Sequence, residues 1–268
     1  MTILILRGHI RSSFDNNQLY ELVKALHTEC DDLEIYIHTW NIVQNNVSWR
    51  KMETRDTRVD DAFIYSYFED LAHLIRFIMI DDDSKIKLTG RTDGYILPEG
   101  KDPIIGWKRY WYGKYQVIDH LKGQVRDQAE LVINCRFDIL ENSNSFKTKD
   151  ILVFVRSNTN KTLSRNVFFT DTMLTDTEKQ EHRKASAEAT IIGETTIHRA
   201  SVSAFAHDTL FFYGIDNLYL GNIQTLYVLI NHFHTNLDDI IERNLNAVTQ
   251  EFLVPLENGS LFPLPTDP

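Results

Sequence analysis

The opening segment of the chain constrains its fold more than any other feature. Residues 3–6 are an apolar run, and the segment that follows carries one glycine and three basic side chains, in the order Arg7, Gly8, His9 and Arg11. Apolar side chains then recur at helical spacing from residue 19 to residue 26, after several residues that favour a helix N-cap. A strand, a basic loop and a helix in this order are typical of an open α/β sheet, in which the loop lies at the carboxyl edge of the strand.

The composition of this loop suits an anion. Basic side chains and the free N–H groups of a helix N-terminus both favour phosphate, so the arrangement predicts a site for a nucleotide diphosphate. The loop lacks the Gly-x-Gly-x-x-Gly spacing of dinucleotide folds and the Lys-Ser/Thr ending of a P-loop. The alternative is an ordinary strand-to-helix turn with solvated arginines.

Strands and helices alternate along the rest of the chain. We predict strands at residues 33–40 and 129–140, helices at 65–78, 110–121 and 222–244, and short strand-like runs at 85–89, 151–155 and 209–213. The polar stretch 41–58 is predicted to be a long loop with a functional role, and 176–188 to be an exposed or mobile segment. The sequence therefore predicts an α/β protein.

Composition excludes several classes of protein. A chain of 268 residues with 43% hydrophobic content can bury a sizeable core, and its net charge of −10 argues against nucleic-acid binding through a general positive field. Cys30 and Cys135 are isolated thiols, which fits a reducing compartment. No apolar run approaches the roughly 20 residues that span a bilayer, so we expect neither a signal peptide nor a transmembrane helix, and membrane association would be peripheral.

Two further strand ends carry candidate site residues. Arg136 and Asp138 stand two apart, so on a strand they share a face and could meet one ligand, with the arginine on phosphate oxygens and the aspartate on a divalent ion or a sugar hydroxyl. The alternative is a structural ion pair. Asp216, followed by Asn217, ends a later apolar run and could act as a base for a hydroxyl group, although a helix-capping turn explains the pair equally well.

An aromatic and cationic cluster occupies residues 106–114. Its Trp107, Lys108 and Trp111 could stack on or pair with a sugar ligand, as could Trp40 at the end of the second predicted strand. The alternative is a helix whose aromatic rings enter the core while the cations extend to water.

Two segments are candidate metal sites. Asp81 and Asp83 form an Asp-x-Asp pair after an apolar run, which suits a divalent cation, but acidic triplets also occur as solvated turns. His232 and His234 do not suit zinc, because residues two apart on a helix diverge.

A family resemblance joins these segments. Residues 5–11, 35–40, 106–113, 132–138 and 216–221 together resemble the glycosyltransferase-like proteins of bacterial capsule and lipopolysaccharide loci, including the WavE-like group. The resemblance implies a Rossmann-like GT-A-type core with a mixed, mostly parallel sheet flanked by helices. It also implies a nucleotide-sugar donor, with Mn²⁺ or Mg²⁺ as the expected cofactor. This sequence has Arg-Phe-Asp at residues 136–138 where that family pattern has Asp-x-Asp, which puts metal dependence in question.

The resemblance and the residues lead to one set of expectations. The chain is predicted to be a single glycosyltransferase-like domain, 1–268, with a nucleotide-binding half at 1–140 and an acceptor-binding half at 141–268. It would transfer a sugar to a bacterial surface polysaccharide or lipopolysaccharide from the cytoplasm, at the inner face of the inner membrane. The alternatives are a non-catalytic protein that binds glycan or nucleotide, and a transferase of phosphate or sulfate.

The expected site residues follow from these roles. Arg7, Gly8, His9, Arg11 and Arg136 would bind the leaving phosphates. Asp138 and Asp216 would be catalytic, with Asp138 as the metal ligand and Asp81 and Asp83 as the second choice for that ion. Trp40, Trp107, Lys108 and Trp111 would receive the acceptor or the nucleotide.

Overall fold

The computed structural model describes residues 1–30, 32–45, 53–95, 103–124, 131–141, 146–159, 161, 163–169, 217–243 and 250–262. The strands are β1 (Thr2–Arg7), β2 (Leu33–Trp40), β3 (Ile42–Gln44), β4 (Arg55–Arg58), β5 (Ile75–Asp81), β6 (Leu131–Arg136), β7 (Val167–Phe168) and β8 (Leu218–Gly221). The helices are α1 (Gln18–Glu29), α2 (Asp61–Phe68), α3 (Ile104–Gly123), α4 (Thr148–Arg156), α5 (Ile223–Arg243) and α6 (Gln250–Leu261), and a 3₁₀ helix spans Glu69–Leu74.

The main sheet has six strands in the order β5-β2-β1-β6-β8-β7. Strands β5, β2, β1 and β6 run parallel to one another. Strand β8 runs antiparallel to β6, and β7 runs antiparallel to β8. Strands β3 and β4 form a separate antiparallel pair. The α/β fold class with a mixed, mostly parallel sheet flanked by helices, which the sequence and its resemblance predicted, is therefore confirmed.

Helices cover both faces of this sheet because β1 is apolar on both of its faces. Leu4 and Leu6 point into a core that α1, α2 and α4 complete. Ile3 and Ile5 point the other way, into a core with α3 and α5. A strand whose side chains are buried on both faces is expected to be a continuous apolar run, as residues 3–6 are.

The order of the strands places a crevice at one edge of the sheet. From β1, the chain continues to β2 and β5 on one side, whereas β6 lies on the other side of β1. The point between β1 and β6 is thus a topological switch point, and ligands of open α/β sheets bind outside the carboxyl ends of the strands at such points. Arg7 and Arg136, the last residues of these two strands, are direct partners in the strand register.

Four predicted elements were wrong. The helix predicted at 65–78 ends at Phe68, and residues 75–81 form β5, because apolar residues at helical spacing also fit a strand that pairs with β2. The run 151–155 lies in helix α4, where Ile151, Phe154 and Val155 face the core at helical spacing, and residues 85–89 form no strand. The predicted loop 41–58 contains β3 and β4.

Two further predicted elements have nearly the predicted bounds, and other predictions are not tested by the described residues. Strand β2 has the predicted bounds, and α5 covers the helix predicted at 222–244 to within a residue at each end. The segments 176–188 and 209–213 lie outside the described residues, and the division into halves at residue 140 stays a prediction. Among the described residues no helix combines the length and apolar character needed to cross a membrane.

Candidate functional site

The centre of the candidate site is a buried carboxylate held by two arginines. Asp138 follows the end of β6 and leaves only 4% of its side chain exposed. Its Oδ1 accepts a hydrogen bond from Nε of Arg136 at 2.7 Å, and its Oδ2 accepts from Nη2 of Arg136 at 2.7 Å and from Nη1 of Arg11 at 2.6 Å. Paired donors of this kind, in which an arginine fork meets both carboxylate oxygens, are among the stronger hydrogen bonds in proteins.

The two arginines keep Asp138 ionised. Burial by itself would raise the pKa of this carboxyl, but the charges and hydrogen bonds of Arg136 and Arg11 outweigh burial, so that its pKa lies below the ordinary 3.8. One carboxylate therefore stands beside two guanidinium groups at the switch point. Arg136 also donates from Nη1 to Oδ1 of Asn217, which follows the predicted base along the chain, at 3.2 Å.

The backbone holds Arg11 in an unusual conformation. Its φ of 56° lies in the left-handed region, which non-glycine residues adopt at a cost of roughly 1–2 kcal/mol. Its N–H donates to the carbonyl of Val43 at 2.9 Å, and its own carbonyl accepts from Nη1 of Arg55 at 3.2 Å. Arg55 in turn forms a bidentate pair with Asp15, at 2.8 and 3.0 Å. The β3–β4 pair and the start of the α1 segment thus fix the residue that reaches Asp138.

Gly8 allows the chain to turn sharply after β1. Its φ is 95°, its N–H donates to the carbonyl of His38 at 3.1 Å, and its carbonyl accepts from the hydroxyl of Thr39 at 2.9 Å. The loop is therefore anchored to β2, and the predicted contact of Gly8 with phosphate remains a prediction.

His9 lies in the same loop but carries no charge at neutral pH. Burial and the nearby positive charge of Arg11 lower its pKa from 6.5 to about 3, with Arg109 and Arg136 acting in the same direction. Its Nδ1 lies 3.4 Å from the carbonyl oxygen of Ile42. Its contribution to an anion site would be a hydrogen bond from a neutral ring, and not the positive charge that the sequence suggested.

Arg7 lies beneath this loop and faces the core. It is 2% exposed, and it donates from Nε to Oδ1 of Asn134 at 3.0 Å and from Nη2 to the hydroxyl of Tyr110 at 3.1 Å. Its guanidinium carbon lies 4.4 Å from the centre of the Tyr110 ring. Arg7 thus joins β1 and β6 to α3, and its predicted contact with phosphate would have to form from a buried position.

The aromatic residues of α3 require a correction. Trp111 is fully buried and stacks on Phe233 of α5 with ring centres 4.1 Å apart, and Trp107 is 5% exposed. Lys108 is 8% exposed and donates to the carbonyl of Thr89 at 2.5 Å and to Asp238 at 2.8 Å. The predicted stacking surface is wrong for these three residues, because the face of α3 that carries them packs on α5, on core residues and on the 82–95 segment.

Trp40 is buried as well, but it lies at the carboxyl edge of the sheet. Its ring centre is 5.8 Å from that of His9, 5.0 Å from that of His38 and 6.2 Å from that of Tyr112. Since only 3% of Trp40 is exposed, it supports the wall of the crevice, and stacking against a ligand stays a prediction.

The carboxylates of the acidic triplet at the end of β5, residues 81–83, are paired with neighbouring side chains. Asp81 lies 3.1 Å from Nε2 of His38, and this hydrogen bond lowers the pKa of Asp81. Asp83 pairs with Arg109 at 3.1 Å and also accepts from Asn45. The triplet therefore binds protein groups, and Asp81 and Asp83 do not share a common ligand position in this arrangement.

The described residues around Asp138 do not fit a divalent cation. Both carboxylate oxygens already accept from guanidinium groups, and no three His, Cys, Asp or Glu side chains in the described part of the chain are grouped so that they could hold a metal ion. His232 pairs with Glu257 at 2.7 Å and His234 stacks on Tyr115, so these two histidines diverge as expected. Asp216, the other predicted catalytic residue, lies outside the described residues.

Two residues of the candidate site were not identified as site residues from the sequence. Arg55, which holds the backbone of Arg11, stands in a polar stretch where several arginines look alike. Asn217, which accepts from Arg136, was visible only as the neighbour of Asp216. The position of Asn217 directly before β8 is the one signal that could have identified it, because β8 pairs with β6.

Comparison with known proteins gives a similarity of fold. No protein-family model and no curated protein matches the sequence. A crystal structure of an active-site mutant of LgtC is similar at a TM-score of 0.42 and 12% identity, over 98% of this chain and 70% of that one. The galactosyltransferase LgtC in complex with donor and acceptor sugar analogues is similar at a TM-score of 0.43 and 11% identity, over the same shares of the two chains. These similarities do not indicate a function, so the function has to be inferred from the side chains of this protein.

Proposed function

We propose that this protein is a glycosyltransferase that takes a sugar from a nucleotide-sugar donor. One observation carries the proposal: a buried aspartate fixes two arginines at the switch point, one in the loop after β1 and the other at the end of β6. This is where an open α/β sheet binds a nucleotide, and a pair of fixed guanidinium groups is suited to a diphosphate.

The chemistry of glycosyl transfer makes use of such a charge. The bond between the anomeric carbon and the distal phosphate oxygen breaks, and its electron pair leaves with the nucleoside diphosphate. An acceptor hydroxyl oxygen forms the new bond to that carbon, and its proton passes to a base. Fixed cations that face the departing diphosphate stabilise the negative charge that develops on it.

The roles proposed for individual residues follow from their surroundings. Arg11 and Arg136 would bind the diphosphate, and Asp138 would hold both guanidinium groups in place, since its oxygens are buried beneath them. Asp216 remains our choice for the base, on the sequence alone. The acceptor, a bacterial surface polysaccharide or lipopolysaccharide, and the place of the reaction at the inner face of the inner membrane both rest on the family resemblance.

The first test is a thermal-shift panel of nucleoside diphosphates, nucleotide sugars and a sulfate donor. We expect one family of nucleoside diphosphates to raise the Tm of the protein. Arg136→Gln should reduce that shift, whereas Arg76→Gln should not, because Arg76 pairs with Glu34 on the surface. If the glutamine variant does not fold, Arg136→Lys, which keeps the positive charge, takes its place in this comparison. A folded protein that responds to none of the nucleotides would refute the proposal.

The same experiments distinguish this proposal from a transferase of another group and from a non-catalytic binding protein. A Tm shift with the sulfate donor alone would indicate a transferase of another group. Binding of a nucleotide sugar without release of nucleoside diphosphate, when bacterial glycans are offered as acceptors, would indicate a non-catalytic binding protein.

A further inference from the structure

We infer that Arg11 and Arg136 neutralise the donor diphosphate directly, with no divalent cation bound at Asp138. The inference rests on the proposed function, and it concerns how the same site recognises its ligand. It follows from the lone pairs of Asp138, from the depth at which the charges lie, and from the positions of the other acidic side chains.

The lone pairs of Asp138 are committed to cations of the protein. Three hydrogen bonds of 2.6–2.7 Å bring guanidinium groups against both carboxylate oxygens. A Mn²⁺ or Mg²⁺ ion needs these oxygens at about 2.0–2.2 Å, and there it would stand against two positive groups. The ion would therefore have to displace both arginines from a carboxylate to which they are already fixed.

The charges are layered so that an incoming anion meets the arginines first. The side chain of Asp138 is 4% exposed, whereas those of Arg11 and Arg136 are 15% and 19% exposed. The guanidinium groups thus lie between the carboxylate and the crevice. A metal site requires the reverse order, with carboxylate oxygens directed towards the ion and its solvent ligands.

Three other acidic side chains that the structure describes near this edge are paired with neighbouring groups of the protein. Asp81 pairs with His38, Asp83 pairs with Arg109, and Glu141 accepts from Ser12 and Asn16. Burial is the main cause of the low pKa of His9, and the nearby charges of Arg11, Arg109 and Arg136 act in the same direction.

Calorimetric titration of the full chain with inorganic pyrophosphate tests the inference, once in EDTA and once with Mn²⁺. We expect the Kd to agree within about twofold between the two conditions and to rise with salt, as charge screening requires. A Kd at least ~10-fold weaker in EDTA, where a metal would be missing, would overturn the inference. Failure to bind under both conditions would overturn the anion site and the proposed function together.

A charge reversal supplies the matched variant. Arg136→Asp replaces this guanidinium by a second carboxylate close to Asp138, and we expect it to abolish pyrophosphate binding in EDTA and to create a requirement for Mn²⁺. Arg136→Lys should keep binding in EDTA, and Arg76→Gln serves as the surface control. Metal-free binding that survives Arg136→Asp contradicts the inference.

Titration with nucleoside diphosphates and nucleotide sugars under the same two conditions distinguishes failure of the metal-free site from failure of the proposed function. If pyrophosphate binds in EDTA but no nucleoside diphosphate or nucleotide sugar binds, the metal-free anion site stands and the donor proposed above is wrong. If a nucleotide sugar binds only with Mn²⁺, the proposed function stands and the inference fails.

Discussion

Replacement of the buried carboxylate by an amide, Asp138→Asn, tests the architecture of the site most directly. Both oxygens of Asp138 accept hydrogen bonds, and every neighbouring donor is a guanidinium N–H. The side chain of asparagine has one acceptor oxygen and one NH₂ group with two N–H donors, so the NH₂ would face another N–H whichever way the amide is turned. The substitution therefore removes a charge and places two donors in contact, with almost no change in shape.

The size of the effect follows from burial. Removing one partner of a buried ion pair destabilises a protein by roughly 3–5 kcal/mol. Because Arg11 and Arg136 retain 15% and 19% of their side-chain exposure, water solvates them in part, and we take the lower limit, about 3 kcal/mol. For a protein of this size the Tm should fall by about 6–12 °C.

The assay is thermal unfolding at several pH values, with Glu29→Gln as the control. Glu29 pairs with Arg156 on the surface, so the same carboxylate-to-amide change there should alter the Tm little. The pKa of Asp138 is lowered in the folded protein, so the stability from its charge is present above its ordinary pKa of 3.8 and is lost as the pH falls through the lower folded value. The Tm difference should thus be constant down to about pH 5 and shrink below about pH 4. An Asp138→Asn variant that melts like Glu29→Gln at pH 7 would show that the arginines do not depend on this carboxylate.

Two further predictions concern the packing around helix α3. Gly90 has a φ of 73°, and a Cβ there would overlap Asp238, so Gly90→Ala should lower the Tm, whereas Gly123→Ala, where a Cβ would meet no atom within 4 Å, should not. Trp111→Ala should destabilise the fold by about 3–5 kcal/mol in chemical denaturation, because its buried ring stacks on Phe233. Trp111→Phe should keep the nucleotide response of the parent protein, and loss of that response in a stable Trp111→Phe variant would restore a ligand-stacking role.

Much of the fold could be predicted because its signals are local. The buried strand β2 is rich in β-branched and aromatic residues and has the predicted bounds, and α5 carries a clear helical periodicity. The segment at 65–81 was misread because its apolar residues fit helical spacing up to Ile78, while the pairing of β5 with β2, more than 30 residues earlier in the chain, makes the last part a strand.

The sequence by itself determined which strand ends carry charge: Arg11 and the Arg136–Asp138 pair were visible because parallel strands deliver their carboxyl ends to one edge. Only the tertiary structure decided how those charges are used. It turns Arg7 and Trp111 into the core, and it brings Arg55 to the backbone of Arg11. It also places Asp138 beneath two guanidinium groups, 127 residues apart from Arg11 in the chain. The spacing of residues fixes which side chains share a face of one element, but partners from distant elements depend on how the strands are ordered in the sheet.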